Sequence, residues 1–86
     1  MYKYVNELLT FCKNHIKNYS IQENFEDNVS VIRFENDKDV FDMVLEGKSV
    51  VQKIIVDHKQ IEFKENDSVA TRINTMFKEI MERVRV

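Results

Sequence analysis

The chain contains no proline, no tryptophan, one glycine and one cysteine in 86 residues. Without proline, few turns are forced, and regular structure is expected to run nearly end to end. The lone cysteine, Cys12, rules out an internal disulfide and favours a reducing compartment. The lone glycine, Gly47, rules out glycine-rich phosphate loops, which need several. No apolar run approaches the ~20 residues of a membrane span. The N-terminus alternates polar and apolar residues where a signal peptide would carry an apolar core. The expected location is the cytoplasm, without membrane association.

What is present suits a folded domain: 43% hydrophobic and 33% charged residues. A chain of 86 residues makes one domain. At that size it buries roughly 60–65% of its unfolded surface, so the core is small. The net charge of −2 is unevenly placed. Glu23, Glu26, Asp27, Glu35, Asp37, Asp39 and Asp42 face only Arg33 and Lys38 within one stretch. Such a stretch is either a solvated loop and hairpin tip or an acidic patch for a basic partner.

Val5, Leu8, Leu9, Cys12, Ile16 and Tyr19 recur at three- and four-residue steps, which predicts a helix over about 3–18. Tyr4, Phe11 and His15 form an adjacent stripe. Residues 18–28 are polar and acidic and read as a connection with a short extended piece. Alternating segments rich in Val, Ile and Phe follow, predicting strands at about 29–35, 40–45, 50–56 and 61–64. The turns between them are expected at 36–39, at 46–49, where Gly47 supplies a permissive backbone, and at 57–60. Four-residue turns place Phe34 opposite Phe41, Ile32 opposite Met43, Leu45 opposite Val50, Val56 opposite Ile61 and Ile54 opposite Phe63. All of these fall on one face. Asp67 or Ser68 is positioned to cap a final helix, whose apolar stripe is Val69, Ile73, Met76, Phe77, Ile80 and Val84. That helix is expected to run to the C-terminus.

The fold class follows: α+β, with an N-terminal helix, a three- to four-stranded antiparallel meander and a C-terminal helix. Both helices have an apolar stripe to bury, so both are expected on one sheet face. The opposite face is then open and carries Val29, Val31, Val40, Val44, Val51 and Ile55. Arg33, Asp42, Lys53 and Glu62 are interspersed among them. Six aliphatics on an open face either serve strand propensity alone or form a contact patch of several hundred Å².

Catalytic signals are weak. Cys12 and His15 are one helical turn apart, but Cys12 lies on the apolar stripe, where a thiol acts as a small hydrophobe. His15, His58 and Asp57 lack metal-ligand spacing. The carboxylates cluster at tips and outward positions, where they are expected to stay solvated, whereas catalysis would need burial to split their pKa values. No enzyme activity, cofactor or metal is expected. Tyr2 and Tyr4 could close over the sheet or anchor a partner.

Helix–meander–helix resembles the double-stranded-RNA-binding domain in topology. That family carries a lysine-rich segment at the start of its second helix; residues 66–72 here hold one basic residue, Arg72. Phosphate contacts dominate such affinity, so direct nucleic-acid binding is not expected. Binding through Lys48, Lys53, Lys59, Lys64 and Arg72 remains an alternative. Abundant Asn, Lys, Ile and Glu suggest an AT-rich genome, of a low-GC bacterium, its phage or its plasmid. The chain is similar in size, acidity and topology to small phage-encoded inhibitors of the anti-CRISPR type. That resemblance implies non-catalytic binding to a protein, such as a nuclease or defence protein, as an inhibitor or adaptor. Two surfaces are candidates: an acidic one at Glu26, Asp27, Glu35, Asp37 and Asp39, and the open face at Val31, Val40, Val44, Val51 and Ile55. A homodimeric structural module is the other alternative.

Overall fold

A computed structural model describes residues 4–85. The order is α1 (Val5–His15), β1 (Ser20–Glu26), β2 (Val29–Glu35), β3 (Val40–Glu46), β4 (Lys53–Val56), β5 (Lys59–Glu62) and α2 (Val69–Val84). The strands form one antiparallel meander in sequence order. The helices share its inner face: Val5, Leu8 and Cys12 of α1 and Met76 and Ile80 of α2 join Ile32, Phe34, Phe41, Met43, Leu45, Ile54 and Val56 in a single core.

Five strands replace the expected four, because residues 20–26 form β1. Its inward positions are Ile21, Glu23 and Phe25, opposite Phe34, Ile32 and Ser30. The acid in the middle breaks the apolar alternation that marks a strand. The side chain is accommodated because the Ser30 hydroxyl donates to the Glu23 carboxylate. Two-residue turns at Asp27–Asn28 and Asp57–His58 close the first and last hairpins, all four residues at positive φ. This left-handed pair matches the strand twist, although neither turn carries the glycine it favours.

The β2–β3 register is as expected, with Phe34 opposite Phe41 and Ile32 opposite Met43. Asn36 closes that turn, its side-chain oxygen accepting from Lys38 N and Asp39 N. The next two registers differ. Leu45 pairs with Ile54 rather than Val50, and Ile54 with Ile61 rather than Phe63. The shifts are of four and two residues, both even, so every residue still in a strand keeps its face. Residues 47–52 form a loop outside the ladder, and Val51 leaves the sheet altogether.

α1 is shorter than its periodicity, ending at His15 with Ile16 extended but still in the core. Tyr4 precedes it, its hydroxyl accepting from Val51 N at 2.7 Å. Ser68 caps α2 by accepting from Thr71 N, while Asp67 accepts from Lys64 N and closes the preceding turn. α2 ends at Val84, and Val86 lies outside the described residues.

Candidate protein-binding surfaces

The outer face of the sheet is built in rows by the register. One row is Asn24, Val31, Val44, Ile55 and Gln60, one residue from each strand. Its middle three are aliphatic and partly exposed. On one side Arg33 and Asp42 form a two-pronged ion pair at 2.9 and 3.0 Å. That pair holds the Asp42 carboxyl below its ordinary pKa. On the other side Lys53 meets Glu46 at 3.1 Å, in directly opposed positions. A narrow apolar stripe therefore lies between two rows that carry ion pairs, and Val29 stands beside Glu46 in the second of them. Neither α1 nor α2 covers it, because both are committed to the other face.

The structure corrects the expected patch in two places. Val51 is not on this face: it is fully buried in the core among the inward residues. The cause is the six-residue β3–β4 loop, which folds its side chain under the sheet while Tyr4 takes its N–H. Val40 is on the face and is 51% exposed, but the Arg33–Asp42 pair separates it from Val44.

The acidic residues do not form one patch. Glu26 and Asp27 sit at the β1–β2 turn, whereas Glu35, Asp37 and Asp39 sit at the β2–β3 turn. These turns close opposite ends of β2, roughly 20 Å apart at strand rise. Asp39 is further occupied internally. Arg83 donates to both of its oxygens and Tyr19 donates at 2.7 Å. These donors hold the Asp39 carboxyl down to about 2.

Arg72 and Lys59 are similarly engaged. Arg72 is 4% exposed and donates to the carbonyls of Val51, Lys64, Glu65 and Asp67. Its guanidinium also lies 5.6 Å from the Phe63 ring centroid. This staple orders the loops before α2, and it leaves Arg72 unable to meet phosphates. Lys59 pairs with Glu79 at 2.8 Å. A groove of about 580 Å³ opens beside Arg72, lined by Lys53, Lys64, Glu46, Glu62 and Glu65 among others. Its charges of both signs define no single ligand class.

Cys12 is buried, and burial pushes its thiol up to about 11. His15 lies on the exposed side of α1, stacked on Phe11 with ring centroids 4.0 Å apart. The pair is therefore not arranged as nucleophile and base. Among the described residues, no group of three or more His, Cys, Asp or Glu could hold a metal ion. No helix of the described residues is long and apolar enough to cross a membrane. Tyr4 is buried as a structural anchor, and Tyr2 lies outside the described residues.

One apolar feature was missed in the sequence. Phe11, 44% exposed, meets Phe77 edge-on at 4.3 Å across the two helices. Its stripe position beside Tyr4 and His15 was visible, but the partner helix face that it meets was not. Comparison with family models, curated proteins and solved structures found no match.

Proposed function

We propose that this chain is a non-catalytic protein-binding module, an inhibitor or adaptor of the small phage or mobile-element kind, which meets its partner through the outer face of the sheet. The observation that carries this reading is the stripe of Val31, Val44 and Ile55, left uncovered on the central strands between the Arg33–Asp42 and Glu46–Lys53 pairs. An apolar centre with a charged rim is the general anatomy of a protein contact. Rigid strands present it without an ordering cost on binding. The acidic turns at either end of β2 are too far apart to act as one basic-partner site, so they are assigned to the rim.

The test uses positions that oppose each other directly. Val31→Lys with Val44→Glu places opposite charges on facing residues, which preserves strand pairing while removing the apolar centre. Tagged wild-type and double-variant proteins are passed over bacterial lysate with nuclease present. One stoichiometric protein retained by the wild type, resistant to salt and lost by the folded double variant, supports the reading. Equal capture by both proteins refutes the surface assignment. Capture of nucleic acid alone refutes the function.

A further inference from the structure

The sheet has two borders, and they are unlike. β5 is four residues long, and its Lys59 is tied to Glu79 of α2. β1 is seven residues long, pairs one-to-one with β2 without a bulge, and has no second strand neighbour among the described residues. Natural borders are usually blunted by lysine, proline, bulges or shortness. β1 has none of these, and most of its residues are exposed. The one protective device it carries is the inward-pointing charge of Glu23, which Ser30 holds by a hydrogen bond.

The hairpin geometry fixes which backbone groups face outward. In a two-residue hairpin the residues flanking the turn exchange both hydrogen bonds, and the alternation continues down the ladder. Glu26–Val29, Asn24–Val31 and Gln22–Arg33 are then the bonded pairs. Ile21 and Glu23 therefore direct their N–H and C=O groups away from β2. The charge at this border is of one sign. Glu23 and Glu26 lie in the strand and Asp27 in its turn, and no Lys or Arg occurs between Lys17 and Arg33.

We propose that β1 is a strand-addition site that accepts an extended basic segment of a protein partner as a sixth strand. Main-chain hydrogen bonds supply the attachment, and alternate side chains supply the selection. A second copy of this chain is the wrong occupant. Antiparallel pairing of two β1 strands about their middle sets Glu23 opposite Glu23, and like charges directly opposite disfavour pairing. Lysine or arginine in that position reverses the sign. The outward side chains of β1 at Ser20, Gln22, Asn24 and Glu26 are polar, so the valine stripe stops at β2, and the main-chain edge of β1 is a different contact surface from it.

A capped heptapeptide of alternating lysine and valine is titrated into ¹⁵N-labelled protein, with an alternating glutamate–valine peptide as the comparison. The expected result is shifted resonances confined mainly to residues 20–26, with slowed amide exchange at Ile21 and Glu23. Affinity should exceed that of the acidic peptide by about tenfold, from a few exposed charge pairs, and should fall as salt rises. Glu23→Lys with Glu26→Lys should reverse the preference. If that variant does not fold, Glu26→Lys alone should narrow it. No perturbation in residues 20–26 overturns the proposal, and so does equal binding of both peptides. A concentration-dependent dimer whose contact maps to β1 overturns it in favour of self-pairing.

Discussion

Arg83 grips Asp39 with both terminal guanidinium nitrogens, at 2.8 and 2.9 Å, across 44 residues of chain. Its Nε turns to Asp57 in the β4–β5 turn, and the guanidinium lies 4.5 Å from the Phe41 ring centroid. Phe41 in turn stacks on Phe34 with centroids 4.6 Å apart. One side chain thus ties the last turn of α2 to two hairpin turns and to the aromatic part of the core.

This clasp makes stability fall in acid. The Asp39 carboxyl is held down to about 2, first by Arg83 and then by Tyr19. In the unfolded chain it titrates near the ordinary ~3.9. Above that value it is ionised in both states and the full stabilisation is present. As pH falls from about 4 toward 2, the unfolded state takes up the proton first, and stability is lost. Asp39→Asn should flatten this part of the profile, as measured by urea unfolding at stepped pH. An unchanged profile would assign the acid sensitivity to other carboxylates.

Arg72 is expected to be structural. Arg72→Met removes the donors to four carbonyls while keeping much of the side-chain bulk. Leaving the buried Val51 carbonyl without its donor, and weakening the part-buried ones, should destabilise by about 2–3 kcal/mol. Chemical denaturation measures the loss, and amide exchange should show it concentrated in residues 51–52 and 63–68. A variant as stable as the wild type would mean that water replaces the guanidinium without penalty.

Gly47 is held at φ +157, and a Cβ there would collide with the Val50 carbonyl oxygen. Because the obstacle is backbone, the loop itself must shift. Gly47→Ala should lower stability by more than about 2 kcal/mol. The loss of melting temperature should be accompanied by resonance shifts at Val51 and Tyr4, the hydrogen-bonded pair that this loop positions.

His58 lies at φ +70 in the β4–β5 turn, exposed to solvent. Glycine adopts that conformation without the steric penalty, so His58→Gly should stabilise by about 1 kcal/mol. Asp57, the other turn residue, should be left in place because it receives Arg83. A fall in the denaturation midpoint would show that the imidazole makes a contact worth more than the backbone strain.

Legibility varied element by element. α2 could be placed because six apolar residues recur at helical spacing and Ser68 precedes them. β2 and β3 could be paired because Asn36 closes a turn of recognisable type. β1 could not be seen as a full strand, since Glu23 occupies its central inward position. The β3–β4 loop could not be sized, because Val50 and Val51 read as the start of a strand. Of the open face, Val31, Val44 and Ile55 were legible from alternation alone, whereas Val51 was not. The role of Asp39 was also hidden, since an acid at a hairpin tip looks the same whether or not a distant arginine reaches it.

The sequence by itself determined the fold class and the face of every residue that remained in a strand. Side-chain alternation has a period of two, and the actual register shifts were even, so the inward and outward sets survived them. Only the tertiary structure decided which residues leave the ladder, how far the acidic turns lie apart, and that Arg83 and Arg72 are fully engaged within the fold. Those outcomes depend on distances between segments far apart in the chain, and local periodicity carries no information about such distances.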